Sequence, residues 1–156
     1  MPTFADIQEM KYLEKVIKEA QRLFPSVPLI ARELFEDLEL PGGYLVPKGT
    51  NFTLNIYSLH RDPKIWGSDP EKFDPEHFSP DAIQKRNPYC YVPFSAGARN
   101  CIGQKYAMLE LKATLGKILR RFKLAPSPYE KDKVELAAEL VLISTTGFHI
   151  RIESRQ

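Results

Sequence analysis

Between Met10 and Phe24 the apolar residues Met10, Leu13, Val16, Ile17, Ala20, Leu23 and Phe24 recur every three or four positions, the period of one helix face. Carrying that helix further back would set Glu9 in the middle of the apolar arc, so a break is predicted near residues 8 to 10. Pro25 and Pro28 end it, because proline lacks an amide donor and restricts the residue before it. The period then shortens to two. Phe52, Leu54 and Ile56 alternate with Asn51, Thr53 and Asn55, which predicts a half-buried strand. Its expected partner is the segment around Leu34 to Leu40, joined through the turn chemistry of Pro41-Gly42-Gly43-Tyr44 and Pro47-Lys48-Gly49.

Residues 60 to 100 sustain neither period, and six of the thirteen prolines fall there, between residues 62 and 94. An irregular stretch of that length inside one domain is functional or packs around something other than its own core. Helical spacing returns at Ile102 and runs to about Phe122. Its apolar side is Ile102, Tyr106, Leu109, Ala113, Leu115, Ile118, Leu119 and Phe122, with Pro126 and Pro128 as breakers beyond. The tail carries an apolar run from Leu140 to Ile143 and a Thr145-Thr146-Gly147 turn. Phe148, Ile150 and Ile152 then alternate with polar residues, so a terminal hairpin is predicted. No internal repeat, low-complexity segment or linker divides residues 1 to 156.

Composition narrows the function classes. At 43% hydrophobic and 27% charged residues the chain is an ordinary globular one. A net charge of +2, without a basic arm, gives no support for nucleic-acid binding. No apolar run approaches the roughly 18 residues needed to cross a bilayer, and the start, MPTFADIQEM, has no signal core. Two cysteines are no disulfide framework, although a Cys90–Cys101 bridge is conceivable. The expectation is a soluble chain in a reducing compartment.

Cys101 is the residue whose surroundings ask for chemistry. A structural zinc site needs about four ligands, whereas Cys90 and Cys101 lie eleven residues apart and His60, His77 and His149 are scattered. A nucleophilic cysteine needs a histidine base, which the fold would have to bring to it. Cys90, between Tyr89 and Tyr91, reads as a packing residue. Around Cys101, by contrast, Gly97 and Gly103 permit backbone angles closed to other residues and let the main chain approach a flat object. A helix starting just after the sulfur directs unpaired amides and its positive end toward it, which stabilises a thiolate. Arg99 can face an anionic group on the same side. These are the requirements of a cysteine ligand to an iron porphyrin, whose propionates are also anionic.

The run Phe94-Ser-Ala-Gly97-Ala-Arg99-Asn-Cys101-Ile-Gly103 resembles, at every fixed position, the haem-binding segment of the cytochrome P450 monooxygenases. Glu19-Ala-Gln-Arg22 is similar to that family's Glu-x-x-Arg pair, which locks to an arginine in a Pro-Glu-Arg-Phe segment. Read without the resemblance, Glu19 and Arg22 would be an exposed i, i+3 ion pair worth roughly 0.2–0.5 kcal/mol. Here the second segment is Pro75-Glu76-His77-Phe78, so His77 stands where arginine is usual and can still donate to Glu19. Arg32 matches the position from which the family reaches a haem propionate. The stretch from His60 to Trp66 fits the family too, with no chemistry assigned to it. The course YVPFSAGARNCIGQKYAM is most similar to the branch that holds fatty-acid omega-hydroxylases and many insect enzymes.

The resemblance implies a fold and a role. The fold is α+β and mostly helical: a Glu-x-x-Arg helix, a small sheet, a proline-rich meander, a cysteine-ligand loop, a following helix and a terminal β-hairpin. It implies one partial domain over residues 1–156, the C-terminal, haem-proximal portion of such a protein. The cofactor would be haem b, bound through the Cys101 thiolate as metal ligand, with Arg32, Phe94, Gly97, Arg99 and Gly103 around it and Glu19, Arg22 and His77 as scaffold. The activity would be insertion of one oxygen atom from dioxygen into an apolar substrate, a fatty acid or a xenobiotic. An NADPH-dependent reductase would meet the basic face formed by Lys105, Lys112, Lys117, Arg120 and Arg121, at the endoplasmic reticulum membrane. The family's acid–threonine pair is not matched, since Thr145-Thr146 follow Ile143-Ser144 without an acid. The expectation is therefore a piece with little turnover alone, or a non-catalytic product that binds haem or a partner.

Overall fold

The structure is a computed structural model that describes residues 3–129 and 134–155. Two helices open it: α1 (Phe4–Glu9) and α2 (Lys11–Leu23). Thr3 and Asp6 close a capping box at the first, each side chain accepting the other's backbone amide. The break falls at Met10, where the apolar arc requires it. Ile17 and Leu23 are buried on α2, and so are Glu19 and Arg22, which the period would have left at the edge of the arc.

The strand pairing differs from expectation. β1 (Leu29–Glu33) pairs antiparallel with β4 (Asn51–Asn55), Leu29 opposite Asn55 and Glu33 opposite Asn51. The Leu34 to Leu40 segment does not pair with β4. Its end is β2 (Leu38–Leu40), which folds back on β3 (Tyr44–Val46). Gly42 and Gly43, both at positive φ (92° and 79°), close that turn so tightly that Leu38–Leu40 finds its partner at once. The earlier β1 is left to β4, with Leu34 N donating to the Thr50 carbonyl at 3.0 Å. Ile56 leaves the strand altogether. The Asn55 side chain accepts from Ser58 N and caps α3 (Ile56–Leu59), turning Ile56 into the core.

Within residues 60 to 100 four of the six prolines mark the start of a helical turn. α4 (Pro63–Trp66), a 3₁₀ turn at Pro75–Phe78, α5 (Pro80–Lys85) and a second 3₁₀ turn at Pro88–Cys90 each open on proline. In turn Asp62, Asp74, Ser79 and Asn87 cap them through the side chain. Proline suits a first helical position, whose amide would be unpaired anyway. Trp66 and Phe78 from these turns join Ile17, Leu23 and Ile56 as the buried hydrophobic residues.

α6 (Gln104–Arg121) packs against α2. Gly116 leaves room for the Met10 side chain, whose Cε would lie 3.1 Å from a Cβ there. Leu109, Ala113, Leu115 and Ile118 are half-buried as the period predicts, but Ile102 and Tyr106 stand in solvent. The chain passes from α6 straight into β5 (Phe122–Pro126), which pairs with β8 (Ile150–Ser154). β6 (Leu136–Ala138) pairs with β7 (Leu142–Ser144) across Glu139–Val141. The predicted hairpin between residues 140–143 and 148–152 does not form. Gly147, at φ 75°, turns the chain away from β7, and β8 finds the extended exit of α6 instead.

Candidate functional site

The Cys101 loop is built from stacked turns. Ser95 N donates to the Val92 carbonyl at 3.0 Å, Asn100 N to the Gly97 carbonyl at 3.2 Å, and Cys101 N to the Phe94 carbonyl at 2.9 Å. The last bond closes the loop and leaves the Cys101 side chain exposed. Gly97 adopts φ 78°, the left-handed region that favours glycine, and Ser95 also sits there at 62°. Gly103 does not. Its φ is −84°, and a Cβ would lie 3.8 Å from Cys101 Sγ, an ordinary contact. The freedom expected of both glycines therefore holds for Gly97 alone. Gly103 is the N-cap of α6 and supplies no side-chain cap, and the first helical amide, Gln104 N, donates to the Cys101 carbonyl at 3.4 Å.

Beside the loop lies a cleft of about 360 Å³ whose lining includes Arg32, Phe94, Arg99 and Cys101, with Val27, Ile30 and Ile56 as apolar wall. Arg32 comes from β1 and donates to the Ala31 carbonyl at 2.8 Å. Arg99, from the turn Gly97–Arg99, is exposed. The cleft thus joins one sulfur, two guanidinium groups and an apolar wall. A planar, largely apolar cofactor with anionic arms and a metal that accepts thiolate fits this donor set. Both cysteines are free, so no Cys90–Cys101 bridge forms, and no cluster of metal-binding side chains occurs among the described residues.

A second cluster, centred on the fully buried Glu19 and Arg22, holds the segments behind the loop. All five N–H donors of Arg22 are used. Nε and Nη2 each meet a Glu19 oxygen at 2.8 Å, Nη1 donates to the carbonyls of His60 (2.8 Å) and Pro70 (2.6 Å), and Nη2 also reaches the Lys72 carbonyl (3.0 Å). Glu19 Oε1 further accepts from Asp74 N at 2.8 Å and lies 3.1 Å from His77 Nδ1. Burial works to raise the Glu19 pKa, but the donors of Arg22, Asp74 and His77 outweigh it and hold the carboxyl below its usual value. The surface ion pair expected from sequence is instead a buried junction of α2 with the meander. Trp66 packs against it, with the Arg22 and Arg86 guanidinium carbons 4.9 and 4.1 Å from the ring centroid.

The basic face needs one correction. Lys105, Lys117, Arg120 and Arg121 are exposed, whereas Lys112 is only 5% exposed and its Nζ sits 3.0 Å from Glu14. Lys112 ties α6 to α2 and presents no surface charge. Its place between Leu109 and Leu115 was the available signal, since it falls in the middle of the apolar arc. His60, also fully buried, was singled out by no period. A larger groove of about 720 Å³ between α1, α2 and α6 lacks a cysteine and is lined by Lys11, Glu14, Lys18 and Lys105 among others.

Comparison with known proteins agrees with the geometry. The cytochrome P450 family model matches residues 1–151. Cytochrome P450 4V2 of Mus musculus is 50% identical over 153 residues, covering 98% of this chain and 29% of the relative. Cytochrome P450 4g1 of Drosophila melanogaster is 48% identical over 155 residues, 99% of this chain and 28% of the relative. Cytochrome P450 4V2 of Homo sapiens is 48% identical over 153 residues. The chain therefore spans less than a third of the length of these relatives. Mammalian and insect members both appear, in keeping with the branch that the Cys101 segment is most similar to. Proteins of this family hold a haem through a cysteine thiolate, as the donor set of the cleft would require. With a family match over nearly its whole length and relatives at half identity, the chain belongs to the cytochrome P450 family.

Proposed function

We propose that this chain forms the proximal wall of a haem-thiolate monooxygenase, with Cys101 as the metal ligand. The single observation behind this reading is the cleft that gathers Arg32 from β1 with Phe94, Arg99 and Cys101 from the loop before α6. Bound there, haem would supply the redox centre at which dioxygen is activated, and thiolate donation favours cleavage of the O–O bond. The chain's own part is to bind and orient. The backbone bonds of the loop would present the Cys101 sulfur to the metal at the start of α6. Arg32 and Arg99 would hold the propionates and Phe94 would pack beside the ligand sulfur, while Gly97 gives the loop its turn. Glu19, Arg22 and His77 are scaffold and touch no reacting atom.

The activity belongs to the whole protein: insertion of one oxygen atom into an apolar substrate, a fatty acid or a xenobiotic. The exposed Lys105, Lys117, Arg120 and Arg121 would steer an acidic electron donor, an NADPH-dependent reductase, to the proximal side. The endoplasmic reticulum membrane is the compartment this reading implies, although no helix among the described residues is long and apolar enough to cross a membrane. The test is haem uptake by the purified chain, followed by reduction and carbon monoxide binding. A Soret band of the thiolate-ligated type that disappears in Cys101→Ala is expected. Uptake that survives Cys101→Ala unchanged, or no uptake at all, would remove Cys101 as the ligand in this chain.

A further inference from the structure

His60 lies outside the cleft, yet no other histidine of the described chain is so enclosed. Tyr91 stacks on its ring, with centroids 5.2 Å apart, and Trp66 meets it edge-on at 6.4 Å. Val92 N donates to His60 Nε2 at 3.0 Å. An amide can only donate, so Nε2 accepts and the neutral ring carries its proton on Nδ1. Nδ1 is the one buried side-chain polar atom without a partner among the described residues. The bond from Val92 N is thus the hydrogen bond that the ring's Nε2 makes to the loop segment.

That bond sits between two others. The His60 carbonyl accepts from Arg22 Nη1 at 2.8 Å, which fixes His60 to the buried junction. The Val92 carbonyl accepts from Ser95 N in the turn that carries Phe94, and the Phe94 carbonyl accepts from Cys101 N. We propose that His60 is a positioning residue for the Cys101 loop: its Nε2 anchors Val92, and through the Val92–Ser95 turn the Phe94–Cys101 bond, to Arg22. Burial, with Arg22 and Arg61 nearby, pulls the ring's pKa down to about 4, so it remains an acceptor through the neutral range. Only the consequence for haem depends on the proposed function. The hydrogen-bonded connection stands or falls by itself.

The experiment uses the whole chain and has three readouts. Imidazole ¹⁵N spectra at neutral pH should show His60 protonated on Nδ1 and bare on Nε2; a proton on Nε2 would overturn the proposal. Amide hydrogen exchange in His60→Phe, which keeps the stacking but has no acceptor, should speed up by about tenfold at both Val92 and Cys101. In His60→Gln, whose side-chain oxygen can accept, protection at both should return. Faster exchange at Val92 with Cys101 unchanged would sink the connection, as would a folded His60→Gln that protects neither amide. If His60→Phe fails to fold, the tautomer and His60→Gln still decide. With haem bound and reduced, carbon monoxide should show His60→Phe losing thiolate-type absorption in favour of the neutral-thiol type, with His60→Gln restoring it. A wild-type chain that takes up no haem defeats the proposed function, while the exchange result still judges His60.

Discussion

The Arg22 junction and the Cys101 loop are both assembled from hydrogen bonds, but they are held in opposite ways. Arg22 and Glu19 are fully buried, every guanidinium donor is used, and three backbone carbonyls from the meander converge on one side chain. Cys101 is exposed, the adjoining Ile102 is fully solvated, and the loop is defined by three backbone bonds and a glycine at positive φ. A charge group without water must be completely satisfied, because an unpaired buried ion costs several kcal/mol. Cys101, in its proposed role as ligand, must instead keep its sulfur uncommitted. Structure is concentrated at the first region so that chemistry can be left open at the second.

The contrast breaks most sharply at Arg22. Arg22→Met leaves the Glu19 carboxylate buried beside Asp74 N and His77 alone and should cost about 3–5 kcal/mol, a large share of a typical domain's stability. Cys101→Ala should change stability by less than about 0.5 kcal/mol. Urea unfolding followed by the fluorescence of Trp66, the chain's one tryptophan, measures both. Equal losses would show that the loop carries as much structure as the junction.

Acid should attack the buried side next. His60 has a folded-state pKa of about 4 against an ordinary 6.5, so its neutral form is favoured by folding. That contribution is complete above pH 6.5, where neither state holds the proton, and is lost as pH falls from 6.5 toward 4, because the unfolded chain is protonated first. The depression corresponds to roughly 3 kcal/mol. Urea midpoints at pH 7 and pH 5 should differ in the wild type, and the difference should shrink in His60→Gln. An unchanged difference would assign the acid sensitivity to other groups.

The two regions were also unequally legible. Phe94, Gly97, Arg99, Cys101 and Gly103 form a local pattern at fixed spacing, and the loop is local, so sequence carries it. α2 and α6 were visible because their buried faces repeat with the helix period. The junction is different: its ligands come from residues 19, 22, 60, 70, 72, 74 and 77, most of them backbone groups without a side-chain signal. Hydrophobic period cannot anticipate a buried arginine or the His60 ring, since both are polar residues satisfied by distant partners. Strand pairing failed for a related reason. Alternation marks Asn51–Asn55 and Ile150–Ser154 as strands but says nothing about which extended segment lies beside them.

Lys112 belongs with the junction in its burial and with the loop in its position on α6, so it gives an intermediate effect. Glu14→Gln leaves the ammonium buried without a counter-charge and should cost about 2 kcal/mol. Lys112→Met removes the charge and keeps the packed stem. Glu14 then retains Lys18 at 2.7 Å, and the loss should be about 1 kcal/mol. The comparison is read from urea midpoints of the two variants; a larger loss for Lys112→Met would mean that the pair itself stabilises the helix contact.

The smallest effects separate the two glycines of the loop. Gly97→Ala must hold an alanine at φ 78° and should cost about 1–2 kcal/mol, although a Cβ there meets nothing within 4 Å. Gly103→Ala needs no strained angle and brings its methyl to an ordinary 3.8 Å from the sulfur. Its stability should stay within about 0.5 kcal/mol of the wild type. What changes is access to Cys101 Sγ, which the added methyl partly covers. Alkylation of Cys101 at a fixed pH should therefore slow in Gly103→Ala, with the unfolding midpoint unmoved. In Gly97→Ala the midpoint should move first. If both variants changed only the midpoint, the loop would be one more piece of scaffold, and the division between a satisfied junction and an open ligand would fail at the sulfur itself.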